Sequence, residues 1–264
     1  MSDPTLADDL ELAHRLADAA DAVSRARFRS TDLVVTTKPD MTPVSDADRA
    51  AEEAIRSLLA AERPGDSILG EEFGTEGESS RQWIIDPIDG TSNFVRGVPV
   101  WATLIGLAID GVPVLGVVSA PALGNRWWGS TGAGAWVRDA ASPEGRRMRV
   151  SQVSELSDAS ISYNSIQQWD WHGRLEQLVA LSRAVWRTRA YGDMWSYMMV
   201  AEGLIDVAGE FDLQPYDMAA LVPIIEEAGG VFTSADGEAG PWHGSALATN
   251  GLLHEAVLGL IARR

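Results

Sequence analysis

The run Trp83-Ile84-Ile85-Asp86-Pro87-Ile88-Asp89-Gly90-Thr91 starts as a buried strand and ends as an acidic turn. Consecutive large apolar residues suit a strand covered on both faces. Pro87 has a fixed φ and no N–H, so it stiffens the turn. Gly90-Thr91 then opens a short helix over 91–95. Asp86 and Asp89 are thereby aimed at one centre. Upstream, Glu71 and Glu72 follow a second short apolar strand, Ser67-Ile68-Leu69-Gly70. Acids at strand ends beside Pro and Gly fit a functional site better than a core. Hard oxygen donors of this kind suit Mg²⁺ or Mn²⁺ rather than zinc. The free N–H groups of a helix start form an anion cradle, and Gly90 lets a phosphate approach the backbone. A carboxylate–metal cluster beside such a cradle implies phosphoryl transfer to water. Asp-Pro and Asp-Gly are also ordinary turn formers, so the weight rests on the whole set of residues.

Outward from this run, helices and strands alternate. An amphipathic helix fits 5–28, and the stretch 31–44 reads as extended. Ser45 with Asp48 three residues on resembles a capping box, opening a helix to about Leu59. Segments 101–109 and 112–119, joined at Asp110-Gly111, predict a β-hairpin. Further strands fit 125–129, 134–138, 158–163, 185–190, 205–209, 231–234 and 246–249. Helices fit 173–184, 194–203, 217–228 and 252–262, and Gly74 to Ser80 reads as a polar loop. The pattern points to a layered α/β or α+β architecture without repeats or a free linker. One phosphatase domain of two subdomains is expected, about 1–150 and about 151–264.

The 264 residues suffice for a substantial core. The net charge of −17 disfavours nucleic acid and anionic membranes as partners, and favours divalent cations and cationic ligands. Absence of cysteine excludes disulfides, thiol nucleophiles and Cys-type zinc sites. No apolar run is long enough to span a bilayer. The acidic N-terminus lacks signal-peptide order, so a cytoplasmic protein is expected. Lys38 is the sole lysine beside 20 arginines, a hint that a compact ammonium is needed there. The ten tryptophans read mainly as core or interface anchors, with Trp169 or Trp171 as a candidate stacking partner for a ring. His14 and His254 are expected at the surface, and His172 and His243 show no metal spacing.

Taken together, Glu71-Glu72, the run 83–94, Tyr216-Asp217-Met218-Ala219-Ala220 and Glu227-Ala228-Gly229-Gly230 resemble the signatures of the inositol monophosphatase superfamily. Lys38, Thr42 and Asp46 fit its upstream segment. The resemblance implies a layered α-β-α-β-α sandwich, a homodimer and two to three Mg²⁺ ions per site, with Mn²⁺ as an alternative. It implies that Glu71, Asp86 and the Ile88 carbonyl hold a first metal, and that Asp86, Asp89 and Asp217 hold a second. Glu71 and waters would hold a weaker third. It pairs Asp46 with Thr91 to take a proton from a metal-activated water, and it places Gly90 and Thr91 at the phosphate. Glu72 and Lys38 would lie just behind. Tyr216 replaces the family's usual Trp.

Within that superfamily the chain is most similar to bacterial histidinol-phosphate phosphatases. The similarity lies in Arg63 to Phe73, Val95 to Trp101, Ser119 to Leu123 with Arg126-Trp127-Trp128, and Arg189-Ala190-Tyr191-Gly192-Asp193. It implies substrate contacts at Arg189, Gly192, Asp193 and Glu210. Paired carboxylates at Asp193 and Glu210 suit a leaving group with an ammonium and an imidazole. Asp193 is equally placed to N-cap the helix over 194–203. Ser92, the segment Tyr163 to Trp169 and the segment Phe211 to Pro215 depart from those enzymes. The expected reaction is therefore Mg²⁺-dependent hydrolysis of L-histidinol phosphate. An inositol-1-phosphate or broad sugar phosphatase is the nearest alternative, and a non-catalytic metal- or phosphate-binding regulator is the alternative of another class.

Overall fold

The computed structural model describes residues 5–38 and 43–262; Thr42 lies outside them. The chain begins with α1 (Leu6–Arg27), β1 (Val35–Thr37), β2 (Pro43–Ser45), α2 (Asp46–Glu62), β3 (Ser67–Gly70), β4 (Gly74–Glu76), β5 (Arg81–Asp89) and α3 (Thr91–Arg96). There follow β6 (Ala102–Ile109), β7 (Val112–Ala120), β8 (Asn125–Ser130), β9 (Gly134–Asp139) and β10 (Ser142–Arg147). The second half runs β11 (Ser160–Ser162), α4 (Ile166–Trp171), α5 (Leu175–Ala184), β12 (Arg187–Arg189), α6 (Asp193–Ala201) and β13 (Val207–Phe211). It ends with α7 (Pro215–Met218), α8 (Leu221–Glu227), β14 (Val231–Thr233), β15 (Ser245–Thr249) and α9 (His254–Ile261).

Two large sheets and three helical layers result, with β1 and β2 paired as a separate two-stranded sheet. The larger sheet has the order β10-β9-β8-β7-β6-β5-β3-β4, and only β3 and β5 pair in parallel. On its outer face, Leu12, Leu16 and Ala20 of α1 and Ile55 and Leu59 of α2 bury Trp83, Ile85, Ile105 and Val117. On its inner face, Leu104, Val118 and Trp127 meet Met198 of α6 and Leu221 and Ile224 of α8. The second sheet has the order β12-β11-β13-β15-β14. It presents Ala208, Ala246 and Phe232 to the same central helices. Its other side, with Val207 and Leu247, is covered by α4, α5 and α9. Period-two burial on both faces of β13 and β15 thus produces the expected α-β-α-β-α sandwich.

Three glycines fix the spacing of the central layer. Gly106, Gly116 and Gly129 stand side by side on β6, β7 and β8. A Cβ on Gly116 would overlap the Ala220 carbonyl oxygen and lie 2.7 Å from its carbon; one on Gly129 would lie 2.9 Å from Ile224 Cα. The α7–α8 backbone therefore rests directly on the sheet. Gly116→Ala should cost about 2–3 kcal/mol in a denaturant titration, because rigid backbone rather than a movable side chain must yield. An unchanged midpoint would show that the layers separate easily.

Local departures from expectation have physical causes. The predicted helix over 217–228 is two helices: Pro223 lacks the N–H that would reach the Ala219 carbonyl. Part of the expected 74–80 loop is β4, paired with β3. His254 is buried, its ring between Thr249 Oγ1 at 3.1 Å and Thr233 Oγ1 at 3.2 Å. His14 is half-buried against Trp128, and burial together with Arg126 and Arg138 lowers its pKa to about 4.

Candidate active site

A bulge in β5 builds the acidic centre. Asp86 pairs with Leu104 and Asp89 with Ala102, so three steps on β5 oppose two on β6. In a regular strand, residues three apart point to opposite faces. The extra residue falls at Pro87-Ile88, where Pro87 has no ladder N–H to lose. Asp86 Oδ1 accepts from Ile88 N at 2.9 Å, and Thr103 Oγ1 holds the Pro87 carbonyl at 2.8 Å. Both acids consequently face the end of α7, where Asp217 stands. Carboxylate oxygens of Asp86, Asp89 and Asp217 all lie within 4.8 Å of one another.

These carboxylates belong to a cavity of about 410 Å³ that is also lined by Glu71, Ile88, Gly90, Thr91 and Asp193. Asp86 and Asp89 have pKa values well above the carboxylate range, first because they are buried and then because neighbouring carboxylates repel their charge. Burial likewise pushes Asp217 up to about 7. Lys38 Nζ lies 2.8 Å from Glu71 and 2.6 Å from Glu72, and Arg49 Nε approaches Glu72 at 3.8 Å. Glu52, fully buried in α2, receives Glu72 N at 2.7 Å and Phe73 N at 3.3 Å, which fixes the turn that carries Glu71.

The expected pairing of Asp46 with Thr91 is wrong. Thr91 Oγ1 lies 2.9 Å from Asp48 Oδ1 and 3.0 Å from the Ile88 carbonyl. Ser45 is the N-cap of α2, and Asp48, three residues on, turns back into the protein to accept from Ser45 N at 2.8 Å. Asp46 is the first helical residue and faces outward to Arg27, at 2.7 Å. Arg189 also falls elsewhere: it sits exposed on the edge strand β12 in a separate groove beside Trp186, donating to the Thr188 carbonyl.

At the start of α6, Gly192 has φ 92°, and Asp193 follows with φ 48°. The Asp193 side chain does not cap its helix. It accepts from Asn93 Nδ2 at 2.6 Å and lies over Gly90, 3.3 Å from where a Cβ would sit. Burial raises its pKa to about 6 against that hydrogen bond. Met194 N donates to Asp89 at 2.7 Å, tying α6 to the acidic centre. Glu210 is buried behind the cavity, held by Tyr197 Oη at 2.8 Å and by the Asn164 amide. Burial raises its pKa to about 8.

A family model described as "Inositol monophosphatase family" matches residues 6–263. The chain belongs to that family. Family members are metal-dependent phosphatases, and this chain is a phosphatase hydrolase of that kind. It is 57% identical to a histidinol-phosphatase of Streptomyces coelicolor, over 99% of this chain and 99% of that one. It is 56% identical to a histidinol-phosphatase of Mycobacterium tuberculosis, over 95% and 96%. Among solved structures, an inositol monophosphatase from Zymomonas mobilis superposes with a TM-score of 0.86 at 33% identity, covering 98% of this chain and 99% of that chain. No described helix is long and apolar enough to cross a membrane.

The donor set fits the metals of this family. It is all oxygen and is clustered more closely than like charges tolerate without cations. Residues missed in the sequence reading include Asp48, Glu52, Asn93, Asn164 and Tyr197. For Asp48 and Glu52 a signal was present: they stand one helical turn apart on the inward face of α2. Asn93 stood within the run 83–94 and Asn164 within the departing segment 163–169, yet neither side chain was given a role; Tyr197 lies far from the acids in sequence and carried no signal. Trp169 is buried with its indole N–H on the Tyr163 carbonyl at 3.0 Å, so it has no free face for a ligand.

Proposed function

We propose that this chain hydrolyses L-histidinol phosphate to L-histidinol and phosphate, in the cytoplasm, as a homodimer using two to three Mg²⁺ ions per site. The observation that carries the substrate is the charge of the cavity. Six carboxylates line it, and no basic side chain does among the described residues. Glu71, Asp86, Asp89 and Asp217 are assigned to cations. Asp193 and Asp212 remain; Asp193 faces the leaving group, with Glu210 behind it. A leaving group bearing an ammonium and an imidazole matches that surplus of negative charge, whereas a neutral polyol does not. Two relatives covering nearly the whole chain carry the name histidinol-phosphatase, which supports the same reading.

In this reading Glu71, Asp86 and the Ile88 carbonyl hold one Mg²⁺, and Asp86, Asp89 and Asp217 another. The bound cations would neutralise the carboxylates, stabilise charge on the phosphoryl oxygens and lower the pKa of the attacking water. Gly90 gives the phosphate room beside the backbone at the start of α3. The Thr91 hydroxyl accepts a proton from the attacking water and passes its own to Asp48, whose carboxylate is oriented by Ser45. Lys38 offsets the charge of Glu71 and Glu72. Asp193 positions the departing alcohol.

The test is phosphate release from L-histidinol phosphate, inositol 1-phosphate, fructose 1,6-bisphosphate and 3′-phosphoadenosine 5′-phosphate, with Mg²⁺ and with EDTA. At least tenfold higher kcat/KM on histidinol phosphate is expected, with turnover abolished by EDTA. Equal or better use of inositol 1-phosphate would defeat the substrate assignment.

A further inference from the structure

The two segments that depart from the histidinol-phosphate enzymes, 163–169 and 211–215, are far apart in sequence yet meet at the mouth of the cavity. Trp169 and Phe211 pack edge to face with ring centroids 5.0 Å apart. His172, just after α4, stacks on the Phe211 ring at 4.7 Å and an interplanar angle of 15°. Its Nε2 lies 2.7 Å from Asp212 Oδ1. Asp212 has φ 61°, a conformation that Asn and Asp adopt more readily than other side-chain-bearing residues. This backbone turn and the His172 contact hold its carboxylate at the cavity wall, where it stands with Gln168 and Gln214. Gln168 Oε1 is buried and has no hydrogen-bond partner among the described residues. A buried polar atom left without a partner is costly, and because Gln168 lines the cavity, a turn of its side-chain amide would bring this closed-off acceptor to a ligand.

We propose that Gln168 and Asp212 form the rim that recognises the nitrogen-bearing end of the leaving group, with His172 as the positioning residue for Asp212. The proposal rests on the substrate reading above. Gly90 and Thr91 supply one part of the cavity wall, and Gln168 of α4 and Asp212 of the turn after β13 supply another. A substrate whose phosphate sits beside Gly90 and Thr91 can extend its alcohol toward the other part of the wall. There the rim holds the Asp212 carboxylate at the cavity wall and, once the Gln168 amide turns, its unpartnered oxygen, both acceptors. A cationic ammonium or an imidazole N–H satisfies them. Asp193 and Asp212 then bracket the leaving group from α6 and from the end of β13, so two basic nitrogens each meet a separate carboxylate. Among the described residues neither Gln168 nor Asp212 hydrogen-bonds an assigned metal ligand, whereas Gln214 beside them donates its N–H to Asp217 at 2.7 Å.

The experiment compares kcat/KM for L-histidinol phosphate and for inositol 1-phosphate in the full-length enzyme with Mg²⁺. Asp212→Asn is expected to lower the ratio of the two about tenfold, mainly through KM for histidinol phosphate. Gln168→Ala should lower it about threefold. His172→Ala should mimic Asp212→Asn in part, and His172→Gln, which can still donate to Asp212, should recover most of the ratio. Competitive inhibition by L-histidinol should weaken in parallel. If wild type prefers histidinol phosphate but the ratio is unchanged in Asp212→Asn, the rim proposal is wrong and the function stands. Equal losses on both esters would assign Asp212 a structural role and overturn the proposal as well. If wild type shows no preference, the substrate reading fails and takes the rim with it.

Discussion

Asp89→Asn should reduce turnover about 10³-fold on every ester at saturating Mg²⁺ while leaving the fold intact. The substitution keeps an oxygen that can accept from Met194 N, so α6 stays attached to β5. What disappears is one full negative charge from the set formed with Asp86 and Asp217. A cation held by three carboxylates loses a strong ligand, and its stabilisation of developing charge falls by several kcal/mol. The chelated protein should respond in the opposite sense. Asp86, Asp89 and Asp217 have folded-state pKa values raised above the usual carboxylate range. Such groups contribute stability that is complete below their unfolded pKa, near 4, and is lost as pH rises through the folded values. In EDTA the wild-type Tm should therefore fall between pH 4 and pH 8, with the loss continuing through about pH 7, where Asp217 titrates. Asp89→Asn should flatten that fall, because one repelling charge has gone. Retained turnover in Asp89→Asn would remove this residue from the metal set. A non-catalytic regulator would show no phosphatase activity to lose.

Asp48→Asn should lower kcat about 10²- to 10⁴-fold with little change in KM, whereas Asp46→Asn should stay within about threefold of wild type. The two positions are separated by half a helical turn. Asp48 is fully buried, hydrogen-bonded to Ser45 and to the Thr91 hydroxyl. An Asn oxygen can still accept from Ser45 N, so the N-cap of α2 survives, but an amide cannot take the proton that Thr91 releases. Asp46 faces Arg27, which also pairs with Asp32. Its replacement removes a partly exposed ion pair worth at most about 1 kcal/mol. A large kcat loss in Asp46→Asn with none in Asp48→Asn would reverse this assignment.

Much of the fold was legible because its signals are local. The capping box at Ser45–Asp48, the Asp110-Gly111 hairpin and the apolar run at 83–85 each follow from a few neighbouring residues. The acid cluster was legible because Pro87 and Gly90 mark it. What was hidden depends on contacts distant in sequence. The choice between Asp46 and Asp48 requires the direction of α2 relative to α3, although the capping box already turned Asp48 inward. The position of Arg189 depends on β12 being an edge strand. The break between α7 and α8 was available from Pro223, but the continuous apolar pattern outweighed it. The triad Gly106, Gly116 and Gly129 acquires meaning only once three strands are placed in register.

That glycine row has a thermodynamic consequence for when the acids are gathered. Backbone resting on backbone has no rotamer through which to relax, so the helix end bearing Asp217 is delivered to Asp86 and Asp89 as the layers close. The repulsion is therefore a property of the folded arrangement itself. A divalent cation that binds only the closed arrangement then acts as a folding ligand, contributing about 2.7 kcal/mol at a concentration one hundred times its Kd. A divalent cation bound there would thus set how much of the protein is folded as well as how fast it turns over, and its depletion would expose the chain to proteolysis.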